Sequence, residues 1–380
     1  MMPEPLPMRV ASALVSGDEA TPKLVETAVR QALARAGLRS AGSVLLFLTP
    51  EFSRQAQEAV TAAVRAASCL QVAGGIAAGV FTEDGWALDR PAAAVMVFGE
   101  GMAFAPVDEE REQAVAGGAP TLLCYGSEPG SRPRQSARRF GGSFAGKPGA
   151  SALVWQAGRV SAAPHCALAV GGPRVDLRVS SGLSLLGPAT IVDAASGNEL
   201  VALGGQSPLA SLRGVLPAEW HELPLHRLAA VLIDDAIGGD THAALGSGLY
   251  REVAIVAVNA DGSLTLADPV ERGQRLAWAI RTPDSSTSDM QAALGRLAAD
   301  SSTASAALMF SCIGRGPYFY GGEDCDLALF SRYFPGLPLL GVYASTQFAW
   351  NWEGVNRSLR NSVVVALLSA EGKKHVQSVA

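Results

Sequence analysis

Arg315 stands in Phe310-Ser311-Cys312-Ile313-Gly314-Arg315-Gly316-Pro317-Tyr318, with a glycine on each side and an apolar run ahead of it. Such a run reads as a strand that delivers Ser311 and Cys312 to its C-terminal end, where the glycines let backbone approach a ligand closely. A guanidinium offers a planar fork to a carboxylate or phosphate, and a charged hydrogen bond of that kind contributes about 1.5–3 kcal/mol. The same residues also admit a plainer reading, in which Gly314 and Gly316 make a turn and Arg315 pairs with Glu323 or Asp324. Downstream, Tyr343, Ser345, Thr346 and Gln347 leave the next apolar run with the neutral hydrogen-bonding groups and aromatics that line small-molecule pockets.

Three other patterns invite chemistry. Cys312 beside Arg315 could have thiolate character, but the five histidines, at 165, 221, 226, 242 and 375, fall in no recognisable base motif. Gly141 to Pro148 imitates a phosphate-binding loop as far as Lys147, then places Pro148 where a hydroxyl must hold magnesium, which argues against nucleotide hydrolysis. The arginines at 132, 134, 138 and 139 form a basic cluster in a Gly, Ser and Pro rich stretch, open to a solvated-loop reading or to a phosphate or partner contact.

The elements that must position these groups occur twice. Ser43–Pro50 is a strand-like run, followed by a helix-period segment, a second run Val72–Gly79 breaking into glycines, and a third, Ala94–Phe98. Ala306–Cys312, Leu337–Ala344 and Val363–Leu368 write the same phrase again. The expected fold is therefore α/β, two related lobes of mixed sheets covered by helices, with an internal β-α-β-β repeat. Thr21 and Pro22 open one amphipathic helix that ends at Gly37, and a second spans about 53–68. Helices are also expected over 225–235, 288–299 and 324–334. Short strands between 152 and 192, separated by Gly171-Gly172, Gly187-Pro188 and Gly197-Asn198, read as hairpins, as does the chain around Asp261-Gly262. Loss of periodicity over 204–224 places a domain boundary there, dividing 1–215 from 216–380.

Composition bounds the function. A net charge of −5 over 380 residues gives no electrostatic footprint for nucleic acid. No apolar stretch reaches membrane-spanning length and Met1–Pro5 resembles no secretory signal, so a cytoplasmic protein without membrane insertion is expected. Five cysteines with no Cys-x-x-Cys spacing argue against a disulfide framework or zinc site, and no cofactor is expected.

Val72–Phe81, Phe140–Gly146, Leu185-Leu186-Gly187-Pro188 and Gly197-Asn198-Glu199-Leu200 together resemble the N-terminal domain of the FIST sensory family. Phe310–Gly316 and Pro335–Ala344 are similar to that family's C-terminal domain. The resemblance, covering about 25–367, implies a non-enzymatic module that binds a small molecule, an amino acid or small carboxylate. A separate signalling partner, such as a histidine kinase or cyclic dinucleotide enzyme, would read occupancy. Joined to the residue reading above, ligand contacts are expected at Ser311, Cys312, Gly314, Arg315, Gly316, Tyr343, Ser345, Thr346 and Gln347. Thr346-Gln347 stands where the family has Gly-Glu, and Gly75, Ile76 and Ala77 replace its polar residues, so a carboxylate for a ligand amine is missing. A branch of the family is associated with haem and nitric oxide sensing, for which His165, His221 or His226 would be the ligands. The same residues would also suit a thiol-dependent enzyme using Cys312, or a purely structural scaffold.

Overall fold

The computed structural model describes residues 9–107, 120–126, 138–144, 152–217, 222–233, 241–301, 303–351 and 353–370. It is a mixed α/β structure whose compact units are not consecutive halves. One comprises 1–180, 290–350 and 354–380, the other 181–289 with 351–353.

Within the larger unit the chain repeats one pattern three times. The first passage is β1 (Val10–Ser16), α1 (Pro22–Ala36), β2 (Ser43–Leu48), a 3-10 turn, α2 (Ala56–Ala67), β3 (Val72–Ile76), the hairpin β4 (Gly79–Thr82) and β5 (Gly85–Leu88), then β6 (Ala92–Phe98). The second is β7 (Ala103–Pro106), β8 (Thr121–Tyr125), β9 (Arg139–Ser143), the hairpin β10 (Val154–Gln156) and β11 (Arg159–Val160), then β12 (His165–Gly171). The third opens with β13 (Pro173–Ser180). It then leaves for the smaller unit, which holds β14 (Leu183–Leu185), β15 (Thr190–Ser196), β16 (Glu199–Leu203), α3 (Pro208–Val215), β17 (Leu228–Ile233), α4 (Thr241–Ser247), β18 (Tyr250–Val258), β19 (Leu264–Leu266) and β20 (Arg275–Arg281). It resumes through α5 (Pro283–Asp300), β21 (Ala304–Cys312), α6 (Cys325–Tyr333), β22 (Leu339–Ala344), the hairpin β23 (Thr346–Trp350) and β24 (Asn356–Leu359), and β25 (Val363–Ala370).

Pairing makes the three passages equivalent. In each, the first strand lies antiparallel to the last: β1 to β6, β7 to β12, β13 to β25. The last lies antiparallel to the second, and the second runs parallel to the third: β2 with β3, β8 with β9, β21 with β22. Every third strand is then extended by a hairpin from another passage. Hairpin β10–β11 joins β3, β23–β24 joins β9, and β4–β5 joins β22. The exchange is cyclic, and it yields three six-stranded sheets of matching order.

An aromatic and a glycine mark each exchange: Trp155 opposes Gly74, Phe348 opposes Gly141, and Phe81 opposes Gly341. All three aromatics are buried. A Cβ on Gly341 would fall 1.9 Å from the Phe81 ring, so only glycine leaves room for that ring.

The two related, helix-covered lobes expected from sequence are present. α1 and α2 bury Val25, Ala28, Val29, Val60 and Ala63 on the sheet of β2. Met290, Leu294 and Leu297 of α5 and Leu327 and Phe330 of α6 do the same for the sheet of β21. The opposite faces of all three sheets contribute to one apolar cluster, including Phe47, Phe98, Phe140, Phe310 and Val342.

Several expectations are corrected. Of the segment expected as a helix over 225–235, the described residues 225–233 are a short 3-10 turn and then β17, whose six residues are all buried and paired on both sides, by β18 and β20. A run apolar on both faces has no helical period to hold it, and pairing decides. Gly171-Gly172 does not close a hairpin: it carries the chain from β12, in the sheet of β8, to β13, in the sheet of β25. At Gly172, with φ of 100°, a Cβ would fall 2.0 Å from the Gly101 carbonyl oxygen. Gly187-Pro188 is likewise a break in one line of strand, because β14 and β15 both lie along β20. Gly197-Asn198 and Asp261-Gly262 do join paired strands, β15 to β16 and β18 to β19. The stretch 204–224, expected as a boundary, lies inside the smaller unit, where α3 puts Leu212 into its core. There β20, β15, β16, β19, β18 and β17 close on themselves as an antiparallel barrel, since β17 also pairs β20.

Candidate functional site

The expected site residues separate into three environments. The first is the helix-covered face at the end of β21. A 3-10 turn over Ile313–Arg315 sends Arg315 back into the protein, where its side chain is fully buried. Nη1 donates to Ser180 O at 2.9 Å and Ser180 Oγ at 3.0 Å. Nη2 donates to Asp326 Oδ1 at 2.8 Å and to the Tyr320 hydroxyl at 3.3 Å. The acidic partner is thus Asp326 rather than Glu323 or Asp324. Asp324 instead caps α6, accepting the Leu327 N–H at 2.9 Å, and its other oxygen accepts from the Tyr343 hydroxyl.

Two carboxylates thus lie buried near one guanidinium, Asp326 paired with it and Asp324 bonded elsewhere. Burial pushes Asp326 up to about 6, against the pull of Arg315 and with the repulsion of Asp324 added. Burial raises Asp324 as well, and drives the Tyr343 and Tyr320 hydroxyls well above the ordinary tyrosine range. Gly316 is buried, and a Cβ there would press within 3.3 Å of the Tyr343 ring. The glycine serves side-chain packing. Arg315, Tyr343 and the fully buried Ser311 consequently hold the fold together at this face.

At the strand end, Cys312 is 4% exposed and its Sγ lies 3.8 Å from Asn361 Oδ1. Gly314 is exposed beside the same amide. An amide oxygen cannot serve as the base a nucleophilic thiol requires.

The third environment belongs to another sheet. Ser345 leaves β22, its N–H and Oγ both donating to Ser143 O at 2.8 and 3.1 Å. β23 then pairs with β9, setting Thr346 opposite Ser143 and Gln347 opposite Gly142. Gln347 is fully buried and donates from Nε2 to Ala344 O at 3.2 Å, while its Oε1 accepts no hydrogen bond among the described residues.

With Arg139 of the basic cluster and Thr346, this sheet carries two polar residues that sequence reasoning did not single out as a site, Thr121 and Ser143. Thr121 on β8 pairs with Arg139 on β9, and the equivalent pairs are Val44 with Val72 and Ala307 with Leu339. Ser143 occupies the place of Ile76 and Tyr343. In the other two sheets these positions lie under helices in apolar clusters. Here they are a hydroxyl, a guanidinium and a hydroxyl, yet Thr121, Arg139, Ser143 and Thr346 are 2%, 5%, 0% and 5% exposed. The Arg139 N–H also donates to Asn356 Oδ1 at 2.8 Å, tying β9 to β24. Phe140-Gly141-Gly142 repeats the run Ala73-Gly74-Gly75, and that repetition is the signal in the sequence that points to this sheet. Of the glycines that imitate a phosphate loop, Gly141 and Gly142 are in strand β9, while 145–148 lie outside the described residues, as do Arg132, Arg134, His221 and His375.

Residues 211–349 match the FIST C domain. The match runs from α3 through most of β23, and so ends among the polar residues Ser345, Thr346 and Gln347. FIST domains are taken as small-ligand sensory domains in signal transduction. The chain is also 29% identical over 174 residues to uncharacterized proteins of Mycobacterium bovis and of Mycobacterium tuberculosis. A further uncharacterized Mycobacterium tuberculosis protein is 27% identical over 173 residues. Each alignment covers 44% of this chain and 44% of the relative, so the similarity spans less than half of either. Among the described residues no helix is long and apolar enough to cross a membrane, and no group of His, Cys, Asp and Glu could hold a metal ion.

Proposed function

We propose that the chain is a non-enzymatic sensory module that binds a small molecule and reports occupancy to a separate signalling partner, a kinase or a cyclic dinucleotide enzyme. The observation that carries this reading is the FIST C match over 211–349. The division of the chain into a FIST N-like part, 1–215, and a FIST C-like part, 216–380, is part of the same proposal as a division by sequence family, distinct from the compact units of the fold. Of the residues expected to meet the ligand, Arg315 and Tyr343 are bonded to Asp326 and Asp324. Ser345, Thr346 and Gln347 remain, and they lie where the matched segment enters the sheet with the polar face. An amino acid or small carboxylate is the ligand class proposed, acting in the cytoplasm.

A thermal-shift screen of the full chain against amino acids, dicarboxylates, nucleosides and haem tests this. A ligand at 100 times its dissociation constant adds about 2.7 kcal/mol, a shift of about 5 °C or more. Silence across the screen, with unchanged melting at millimolar concentrations, contradicts the reading and favours a scaffold.

A further inference from the structure

We infer that Cys124 and Cys166 are a redox switch: peroxide converts the facing thiols to a disulfide that cross-links β8 to β12, and a thiol reductant reopens it. The inference stands independently of the sensory reading. The two residues are register partners on neighbouring antiparallel strands, 0% and 1% exposed, in the apolar cluster to which all three sheets contribute. Along the same ladder the Gly126 N–H donates to Pro164 O at 2.7 Å and the Val170 N–H to Pro120 O at 3.0 Å. These bonds fall two and four residues from the cysteines, so Cys124 and Cys166 face each other as a hydrogen-bonded pair. The Cα atoms of such a pair stand about 5.5 Å apart, close to the commonest separation across a disulfide. In the other two sheets the equivalent pairs are Phe47 with Ala94 and Phe310 with Val364. One sheet of the three therefore carries two thiols face to face.

The step balances with peroxide as the oxidant. One sulfur attacks the O–O bond as its proton leaves, giving a sulfenic acid and one water. The facing thiol then attacks that sulfur, the S–S bond forms, and its proton leaves with the hydroxyl as a second water. A hydrogen bond with Cys166 and burial push the Cys124 thiol well above the ordinary cysteine range, so the closed sheet reacts slowly and the pair records sustained rather than brief exposure. On its other side β12 pairs with the four-residue strand β7 at the end of the sheet, where opening is least costly. Closing the bond moves backbone. Opposed Cβ atoms in such a pair stand about 1 Å wider than across a disulfide, so β8 and β12 draw together. The row continues from Cys124 through Gly142 to Gln347 of β23, and a Cβ on Gly142 would fall 3.0 Å from that of Ala344. With no slack in that row, the contraction reaches β23.

The test treats the full chain, in the natural sequence and as Cys124→Ala and Cys166→Ala, with hydrogen peroxide, then unfolds it in denaturant with iodoacetamide and maps the peptides. The expected result in the natural sequence is a 124–166 cross-link that dithiothreitol removes, a melting temperature raised by several degrees while the link lasts, and altered amide exchange in 346–350. Neither variant should show any of these. Should a variant not fold, the map of the natural sequence decides alone. Full alkylation of Cys124 and Cys166 after peroxide overturns the inference, as does a link confined to Cys69, Cys312 or Cys325, or oxidation of either thiol to a sulfinic acid without a link. A 124–166 link that leaves exchange in 346–350 unchanged overturns the transmission to β23.

Discussion

Arg315 and Arg139 are two buried arginines on equivalent sheets of one protein, and they differ in the company they keep. Arg315 enters a closed polar cluster and meets Asp326 at 2.8 Å, with Ser180 and Tyr320 bonded to it as well. Arg139 shares its face with three hydroxyls, those of Thr121, Ser143 and Thr346; the other sheets leave these positions apolar or without a side chain, save that Tyr343 of β22 stands at the position of Ser143. The comparison teaches that a guanidinium between two glycines is no more a ligand anchor than one inside a strand. What stands around the charge decides its use.

The sharpest way to break the comparison is to remove one partner of the closed pair. Asp326→Ala leaves the Arg315 charge buried and should cost about 3–5 kcal/mol of stability, whereas Arg315→Met combined with Asp326→Leu should recover most of it. Chemical denaturation of the three proteins measures this, and an Asp326→Ala protein as stable as the natural sequence would remove the structural role. Next in size, Gly341→Ala drives a Cβ into the Phe81 ring and should cost about 1–3 kcal/mol by the same measurement, whereas Gly214→Ala, at an exposed helical position with no atom within 4 Å of the added Cβ, should cost nothing.

The pH dependence follows with its sign. Asp326 is raised in the folded chain to about 6 from an ordinary value of 3.8. A group raised on folding binds more protons folded than unfolded, so its stabilisation is complete below the unfolded value and is lost as pH rises from about 4 through about 6. Stability should therefore fall over that window, and Asp326→Asn should flatten the profile. A natural profile that rises there, unaltered by the variant, would contradict this. The smallest effect is expected on the polar sheet: Thr346→Val, which keeps volume and strand propensity, should change ligand-free stability by about 1 kcal/mol or less. A much larger loss would make that face structural too.

Much of this fold is legible because burial and caps are written locally. α1 stops where Gly37 turns left-handed at φ 64°, and β2, β3, β21 and β22 are runs of largely or wholly buried residues. The third sheet is not legible. Its strands β8 and β9 are five residues each, β9 carries Arg139, Gly141, Gly142 and Ser143, and the hairpin that completes it comes from about 200 residues later in the chain, Thr346 meeting Ser143. β17 resists reading for the opposite reason, since six apolar residues buried on both faces carry no period. Arg315 is marked by its glycines, but its partner is not, because the first turn of α6 rather than the preceding loop supplies the carboxylate.

Hydrogen–deuterium exchange with and without saturating succinate, a dicarboxylate of the class proposed, compares the two arginine environments in one experiment. The account requires slowed exchange in 139–143 and 346–350, with 313–326 unchanged by the ligand. Protection confined to 313–326, or none in β9 and β23, would return the ligand to Arg315 and contradict its placement beside Ser345, Thr346 and Gln347.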